Sequence, residues 1–118
     1  MGRLTTHVLD TARGKPAAGM ALSLTRIDQN QSRHLLLDTV TNQDGRTPVP
    51  LLEGATFTAA TYELCFGVQA YFVATKGVQD DPPFLDQVTI RFTVAHSDQH
   101  YHVPLLVSPW AYSTYRGS

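Results

Sequence analysis

Five histidines (His7, His34, His96, His100 and His102), a single cysteine, Cys65, and an arginine, Arg46, placed directly after Asp44-Gly45 are the side chains here best suited to chemistry. Imidazole exchanges protons near neutral pH and also ligates metals. His100 and His102 are two apart, so in a strand they share a face, and such a pair can hold zinc. No Cys, Asp or Glu stands beside them at ligand spacing, and Asp98 would need a bend to join, so no metal and no cofactor are expected. His7 lies in a run where Leu4, Thr6 and Val8 take one face and Thr5, His7 and Leu9 take the other, non-core face. A lone strand histidine is ordinarily structural, and an arginine in a turn ordinarily faces solvent, so neither His7 nor Arg46 decides anything alone. Cys65 falls on the opposite strand face from Tyr62, Leu64 and Phe66, with no motif around it for covalent catalysis. There is also no Gly-x-Ser-x-Gly, no paired-carboxylate signature and no glycine-rich phosphate loop. An enzyme made from this set would activate water by histidine and polarise its substrate with arginine.

The elements that must position these groups are strands. Period-two alternation is clearest in Val88-Thr89-Ile90-Arg91-Phe92-Thr93-Val94 and recurs in Tyr62 to Val68, Met20 to Leu24 and, more weakly, Leu4 to Val8. Turn signals separate these runs at Arg13-Gly14-Lys15-Pro16, Asp28 to Gln31, Asn42 to Gly45 and Asp80 to Pro83. About eight strands follow, near residues 3–10, 19–28, 33–41, 49–53, 60–68, 86–95, 99–107 and 110–116: an all-β, eight-stranded Greek-key sandwich. One short helix fits, over Ala70 to Gly77, with Gly77 supplying the left-handed position at its end.

In the 99–107 run, Tyr101, Val103, Leu105 and Val107 can face the core, which turns His100, His102, Pro104 and Leu106 outward. Pro104 withdraws one ladder donor, so it requires an edge, a bulge or a position whose N–H points away from the partner. That outer face, and the aromatics Trp110, Tyr112 and Tyr115 that follow, are too apolar for water and predict a subunit interface.

Composition narrows the partners. Nine Lys+Arg against ten Asp+Glu give a net charge of -1 with no basic run, which argues against nucleic acid and against an anionic membrane surface. At 118 residues and 42% hydrophobic content, a single domain over 1–118 is expected, burying roughly two-thirds of its unfolded surface without disulfides. The start of the chain lacks the apolar stretch of a secretory signal, the longest apolar runs fall far short of the ~20 residues of a spanning helix, and Arg116-Gly117-Ser118 is not a peroxisomal address. A cytoplasmic location is the resulting expectation.

Three stretches, taken together and in order, resemble the transthyretin-like (prealbumin-like) family in its 5-hydroxyisourate hydrolase branch: Leu4-Thr5-Thr6-His7-Val8-Leu9-Asp10 with Gly14-Lys15-Pro16-Ala17; Asp44-Gly45-Arg46; and His100-Tyr101-His102-Val103-Pro104-Leu105-Leu106-Val107-Ser108-Pro109, running on to Tyr115-Arg116-Gly117-Ser118. The resemblance spans essentially the whole chain, with minor departures such as Trp110, where relatives often carry Tyr. It implies an eight-stranded sandwich assembled as a homotetramer, a dimer of dimers whose central channel holds the active sites. It also implies His7, Arg46 and His102 as catalytic residues, with His7, Arg46, Tyr115, Arg116 and Ser118 contacting substrate. The reaction implied is hydrolysis of 5-hydroxyisourate, from urate oxidation, to 2-oxo-4-hydroxy-4-carboxy-5-ureidoimidazoline by water attacking the N1–C6 amide carbonyl. A transthyretin-type small-molecule carrier is the alternative within the same family; an immunoglobulin-like interaction module is the alternative outside it. The hormone-binding transthyretins carry residues unsuited to hydrolysis at the positions of His7, Arg46 and His102, which favours the enzyme.

Overall fold

A computed structural model describes residues 2–76 and 81–117. The strands are β1 (Arg3–Thr5), β2 (Val8–Asp10), β3 (Lys15–Pro16), β4 (Ala21–Ile27), β5 (Arg33–Val40), β6 (Leu52–Glu53), β7 (Ala60–Phe66), β8 (Val88–Val94), β9 (His100–His102), β10 (Leu105–Val107) and β11 (Tyr112–Ser113), with one helix, α1 (Val68–Thr75), and a 3-10 turn at Gly54–Thr56. These are the ingredients of an all-β sandwich. One antiparallel sheet runs β5-β4-β7-β8. Its alternating residues Leu22, Leu24, Tyr62, Leu64, Phe66, Val88, Ile90 and Val94 are buried and form one side of the core.

The opposing layer carries the site. β1 and β2 are halves of the 3–10 run, and β9 and β10 are halves of the 99–107 run, paired in parallel with one unbroken register: Arg3 opposite His100 and Thr5 opposite His102, then Val8 opposite Leu105. The ladder continues between the halves through Val103 N–H to Thr5 O (2.9 Å) and Leu105 N–H to His7 O (2.9 Å). In a parallel ladder alternate residues serve one neighbour. Pro104 is the skipped residue, so its missing N–H costs this ladder nothing. Its carbonyl, on the other side, accepts from Thr114 Oγ1 at 2.7 Å. Leu4, Val8, Tyr101, Val103, Leu105 and Val107 are buried, as the alternation predicts. Thr6 shares that inward face, and the cost of burying its hydroxyl is offset by donation to Val103 O at 2.7 Å. Pro104, read from sequence as outward-facing, is nevertheless buried, and Leu106 is half-buried.

Boundaries shift where tertiary contacts intervene. The last predicted strand, 110–116, shortens to Tyr112–Ser113, held to β10 by Leu106 opposite Ser113 and rejoined to β9 by a bridge between His102 and Gly117. The 49–53 run keeps only Leu52–Glu53, and the short β3 was not anticipated. The helix starts at Val68 rather than Ala70, because Gly67 ends the β7 ladder with N–H to Ala21 O (2.8 Å) while Val68, Tyr71 and Phe72 form one buried stripe. Its left-handed end falls on Lys76 (φ 56°), one residue before Gly77, which lies outside the described residues. No helix among the described residues is long and apolar enough to cross a membrane.

Candidate active site

The hairpin-like turn Asn42 to Arg46 delivers the guanidinium. Asn42 Oδ1 accepts the N–H groups of Asp44 (2.9 Å) and Arg46 (3.2 Å), and Asn42 N–H donates to Arg46 O at 2.8 Å. Gly45 then adopts φ 73° and presses against the 3–10 run, accepting from Val8 N–H at 2.8 Å. A Cβ there would run into Val8 O, so both the backbone sign and the close approach require glycine. The consequence is an antiparallel bridge between Arg46 and His7.

The second histidine is gripped from two sides. Thr5 lies opposite His102 on one flank, with its Oγ1 2.8 Å from His102 Nδ1. Gly117 lies opposite it on the other, through Gly117 N–H to His102 O (2.7 Å) and His102 N–H to Gly117 O (3.3 Å). The Gly117 Cα side abuts the Cδ2 edge of the ring, where an added Cβ would sit 3.0 Å away. With Nδ1 and Cδ2 both occupied, Nε2 is on the ring's free edge. His7 and His102 stand on adjacent strands of one outward face, as diagonal neighbours roughly 7–8 Å apart at the backbone, within reach of a common small molecule.

Their electrostatics favour neutral imidazoles. Burial pulls His102 below its ordinary value of 6.5, and the charges of Arg46, His7 and His100 act in the same direction. His7 is lowered by burial and then by Arg46, while a hydrogen bond to the Asp44 backbone and the Asp44 carboxylate push back. A cleft of about 200 Å³ opens on this face, lined by Thr5, Arg46, Pro48 and Pro50 among others. A larger hollow of about 530 Å³ lies elsewhere, around Arg26, Asp28, Thr58 and Arg91. Neither hollow has a histidine in its lining, and both arginines of the larger one are already committed, Arg26 to Asp28 and Arg91 to Glu63. Size therefore does not single out a site; what distinguishes the smaller cleft is its Arg46, bridged to His7, which the register sets diagonal to His102.

The remaining expected residues divide. The register that sets Leu106 opposite Ser113 and His102 opposite Gly117 puts Tyr115 opposite Pro104, on the same face as His102, and its side chain is exposed. Arg116 has the other parity. Its guanidinium lies 4.0 Å over the Tyr101 ring and donates to Gln99 Oε1 (3.0 Å) and His100 O (3.4 Å), away from His7 and Arg46. Ser118 lies outside the described residues. Thr5 and His100 were not expected at the site, whereas Gly117 was expected there with the rest of the terminal Arg116-Gly117-Ser118. The outward parity that Thr5 shares with His7 was a usable signal, whereas the pairing of Thr5 with His102 was not visible in one sequence. No cluster of three or more His, Cys, Asp or Glu able to hold a metal ion occurs among the described residues.

Comparison with known proteins places the chain. The 5-hydroxyisourate hydrolase of Deinococcus radiodurans is 56% identical over 115 residues, covering 98% of this chain and 95% of that protein. The crystal structure of an (S)-allantoin synthase superposes with a TM-score of 0.93 at 46% identity, covering 99% of this chain and 44% of the other. Sea bream transthyretin in complex with thyroxine superposes with a TM-score of 0.87 at 25% identity, covering 98% of this chain and 94% of the other. The sequence pattern of the HIUase/Transthyretin family matches residues 4–117, and the chain belongs to that family.

Proposed function

We propose that this chain, acting as one domain over 1–118, is an enzyme of urate breakdown that hydrolyses 5-hydroxyisourate to 2-oxo-4-hydroxy-4-carboxy-5-ureidoimidazoline. The observation that carries the reading is the meeting of His7, Arg46 and His102 on one outward face, with both imidazoles biased toward their neutral forms. The name of the Deinococcus radiodurans relative supports the substrate.

In this scheme water attacks the C6 carbonyl of the N1–C6 amide while one imidazole of the His7/His102 pair takes its proton. Negative charge gathers on the former carbonyl oxygen, where the Arg46 guanidinium offers a fixed fork of donors. Collapse of the tetrahedral intermediate breaks the C6–N1 bond and opens the ring; N1 takes the proton returned from the imidazolium, and the carboxylic acid formed at C6 loses its remaining proton to solvent to become a carboxylate. Tyr115 contacts the substrate from the tail that follows β11. Arg116 and Ser118 complete the substrate-binding tail, Arg116 by stacking on Tyr101 and holding the tail that carries Tyr115 and Gly117.

The site is open in a single chain, and Val49, Trp110, Tyr112 and Tyr115 are exposed near it or along the C-terminal segment. Assembly as a homotetramer, a dimer of dimers, would cover them and close the cleft. A cytoplasmic location belongs to the same reading. The thyroxine complex of sea bream transthyretin keeps a carrier function as the second reading. A carrier for an apolar ligand has no use for two neutral imidazoles beside a guanidinium.

The deciding experiment generates 5-hydroxyisourate in situ from urate and follows its ultraviolet decay with and without the protein, subtracting spontaneous decay. Acceleration proportional to protein concentration is expected; an unchanged decay combined with saturable thyroxine binding would establish the carrier instead.

A further inference from the structure

The hydroxyl of Thr5 stands between two imidazoles. Its Oγ1 is 2.8 Å from His102 Nδ1 and 3.2 Å from His100 Nε2, and among the described residues these rings are its only hydrogen-bond partners. A threonine hydroxyl has one proton to give and can accept on its lone pairs. A Thr5 hydroxyl that bridges the two rings gives its proton to one ring nitrogen and accepts from the other. The tautomers of His100 and His102 are therefore tied together. If His102 carries its proton on Nδ1, His100 presents a bare Nε2; if His100 donates from Nε2, as it must when protonated, His102 is forced to carry its proton on Nε2.

We propose that Thr5 is the positioning residue of His102: it accepts the Nδ1 proton of His102 and donates its own to His100 Nε2, which leaves the His102 Nε2 lone pair on the ring's free edge. The assignment rests on the hydrolytic reading in one respect, that a base must present a lone pair toward the cleft. The rest is geometric. Thr5 is β-branched and sits in β1 directly opposite His102, so its hydroxyl is preorganised in a stiff rotamer. Gly117 closes the far edge of the ring, which prevents His102 from escaping the contact by rotating away. His100 thus acquires a role: its Nε2 is the acceptor at the end of the chain.

The test reads tautomers directly, by nitrogen-15 chemical shifts and couplings of the histidine rings at neutral pH in the full chain. In the wild-type protein His102 is expected as the Nδ1–H form and His100 with bare Nε2. Thr5→Val removes the hydroxyl while keeping a β-branched strand former, and is expected to release His102 into a tautomer mixture; Thr5→Ser restores the wild-type signature. His100→Phe leaves Thr5 in place without an acceptor, so its proton moves to His102 Nδ1 and the Nε2–H form appears. Activity should follow, with kcat falling about 10- to 100-fold in Thr5→Val with KM little changed, and recovering in Thr5→Ser. A wild-type His102 protonated on Nε2, or a His102 tautomer unmoved by both Thr5→Val and His100→Phe, overturns the proposal. Because these signals need no substrate, that outcome is distinct from a wild-type protein that fails to hydrolyse 5-hydroxyisourate.

Discussion

Gly117 and His102 are joined twice by backbone hydrogen bonds and once by the absence of a side chain. The Cδ2 edge of the imidazole fills the place where a residue other than glycine would put its Cβ, at 3.0 Å. The tail therefore holds the ring against Thr5, on the far side of the same row. Gly117→Ala would push the ring by a few tenths of an ångström, into or off the 2.8 Å contact with Thr5. Misplacement on this scale is expected to lower kcat about tenfold or more. The melting temperature should stay within a few degrees of wild type, since Gly117 is not among the positive-φ glycines and the residues just before it are exposed. Steady-state kinetics beside a thermal melt check this; a large loss of stability would show that the glycine serves the fold and not the ring.

The lowered pKa values of His7 and His102 make a signed prediction. Each folded imidazole prefers its neutral form more than the unfolded chain does, so the stability this contributes is present above pH 6.5 and is lost as pH falls below it. The acid limb of kcat/KM is accordingly expected below 6.5. Burial is the leading cause and Arg46 the next, so Arg46→Gln should move both rings part of the way back toward 6.5 without reaching it. Proton NMR titration of the two histidines in wild type and Arg46→Gln measures the shift without relying on activity. Identical titrations in the two proteins would mean that the guanidinium does not face the rings.

Gly45 is the second glycine on which the site depends. Its φ of 73° belongs to the left-handed region, and a Cβ would meet Val8 O, the atom next in line after His7 on the 3–10 run. The conformational cost of a non-glycine residue there is about 1–3 kcal/mol, before the clash is relieved by backing the turn away. Gly45→Ala is therefore expected to lose both stability and activity, the latter through retreat of Arg46 from His7. Urea denaturation and kinetics should fall together, and full activity at reduced stability would show that Arg46 reaches its working position without the bridge.

Parity along strands was the legible part. Alternation alone turned His7 and His102 outward and Leu4, Val8, Tyr101 and Leu105 inward, and the burial of those residues follows it. Proline's missing donor restricted Pro104 to an edge, a bulge or a position whose N–H points away, and the ladder shows the last of these. What alternation cannot carry is register between runs more than ninety positions apart. Thr5 meets His102 because the 3–10 and 99–107 runs pair in parallel with Arg3 at His100; a slip by one residue would turn every side chain to the wrong face. Arg116 illustrates the same limit. Its parity differs from that of Tyr115 and Gly117, but only the tail's pairing with β9 converts parity into a position over Tyr101. The helix boundary missed by two residues because the burial of Val68 outweighs the local preferences of the sequence around it.

On the opposite sheet, Glu63 offers a control for the fold that leaves the site untouched. Its carboxylate is nearly buried on β7, with Oε1 2.7 Å from Arg33 Nη2 on β5 and Oε2 2.7 Å from Arg91 Nε on β8, so one side chain ties three strands across β4. The hydrogen bond from Arg33 is the main reason its pKa lies below the ordinary 4.5, and burial opposes the shift. A lowered carboxylate pKa means that the stabilisation is complete above 4.5 and disappears as pH falls through the folded value. Both arginines remain about half exposed, which limits what the pairs contribute. Glu63→Gln is expected to cost about 1–2 kcal/mol at pH 7, with the gap to wild type closing at acid pH, below 4.5, as wild-type Glu63 takes up its proton. Urea denaturation at neutral and at acid pH measures the gap. A gap that does not change with pH would assign the cost to packing around the amide rather than to the two arginines.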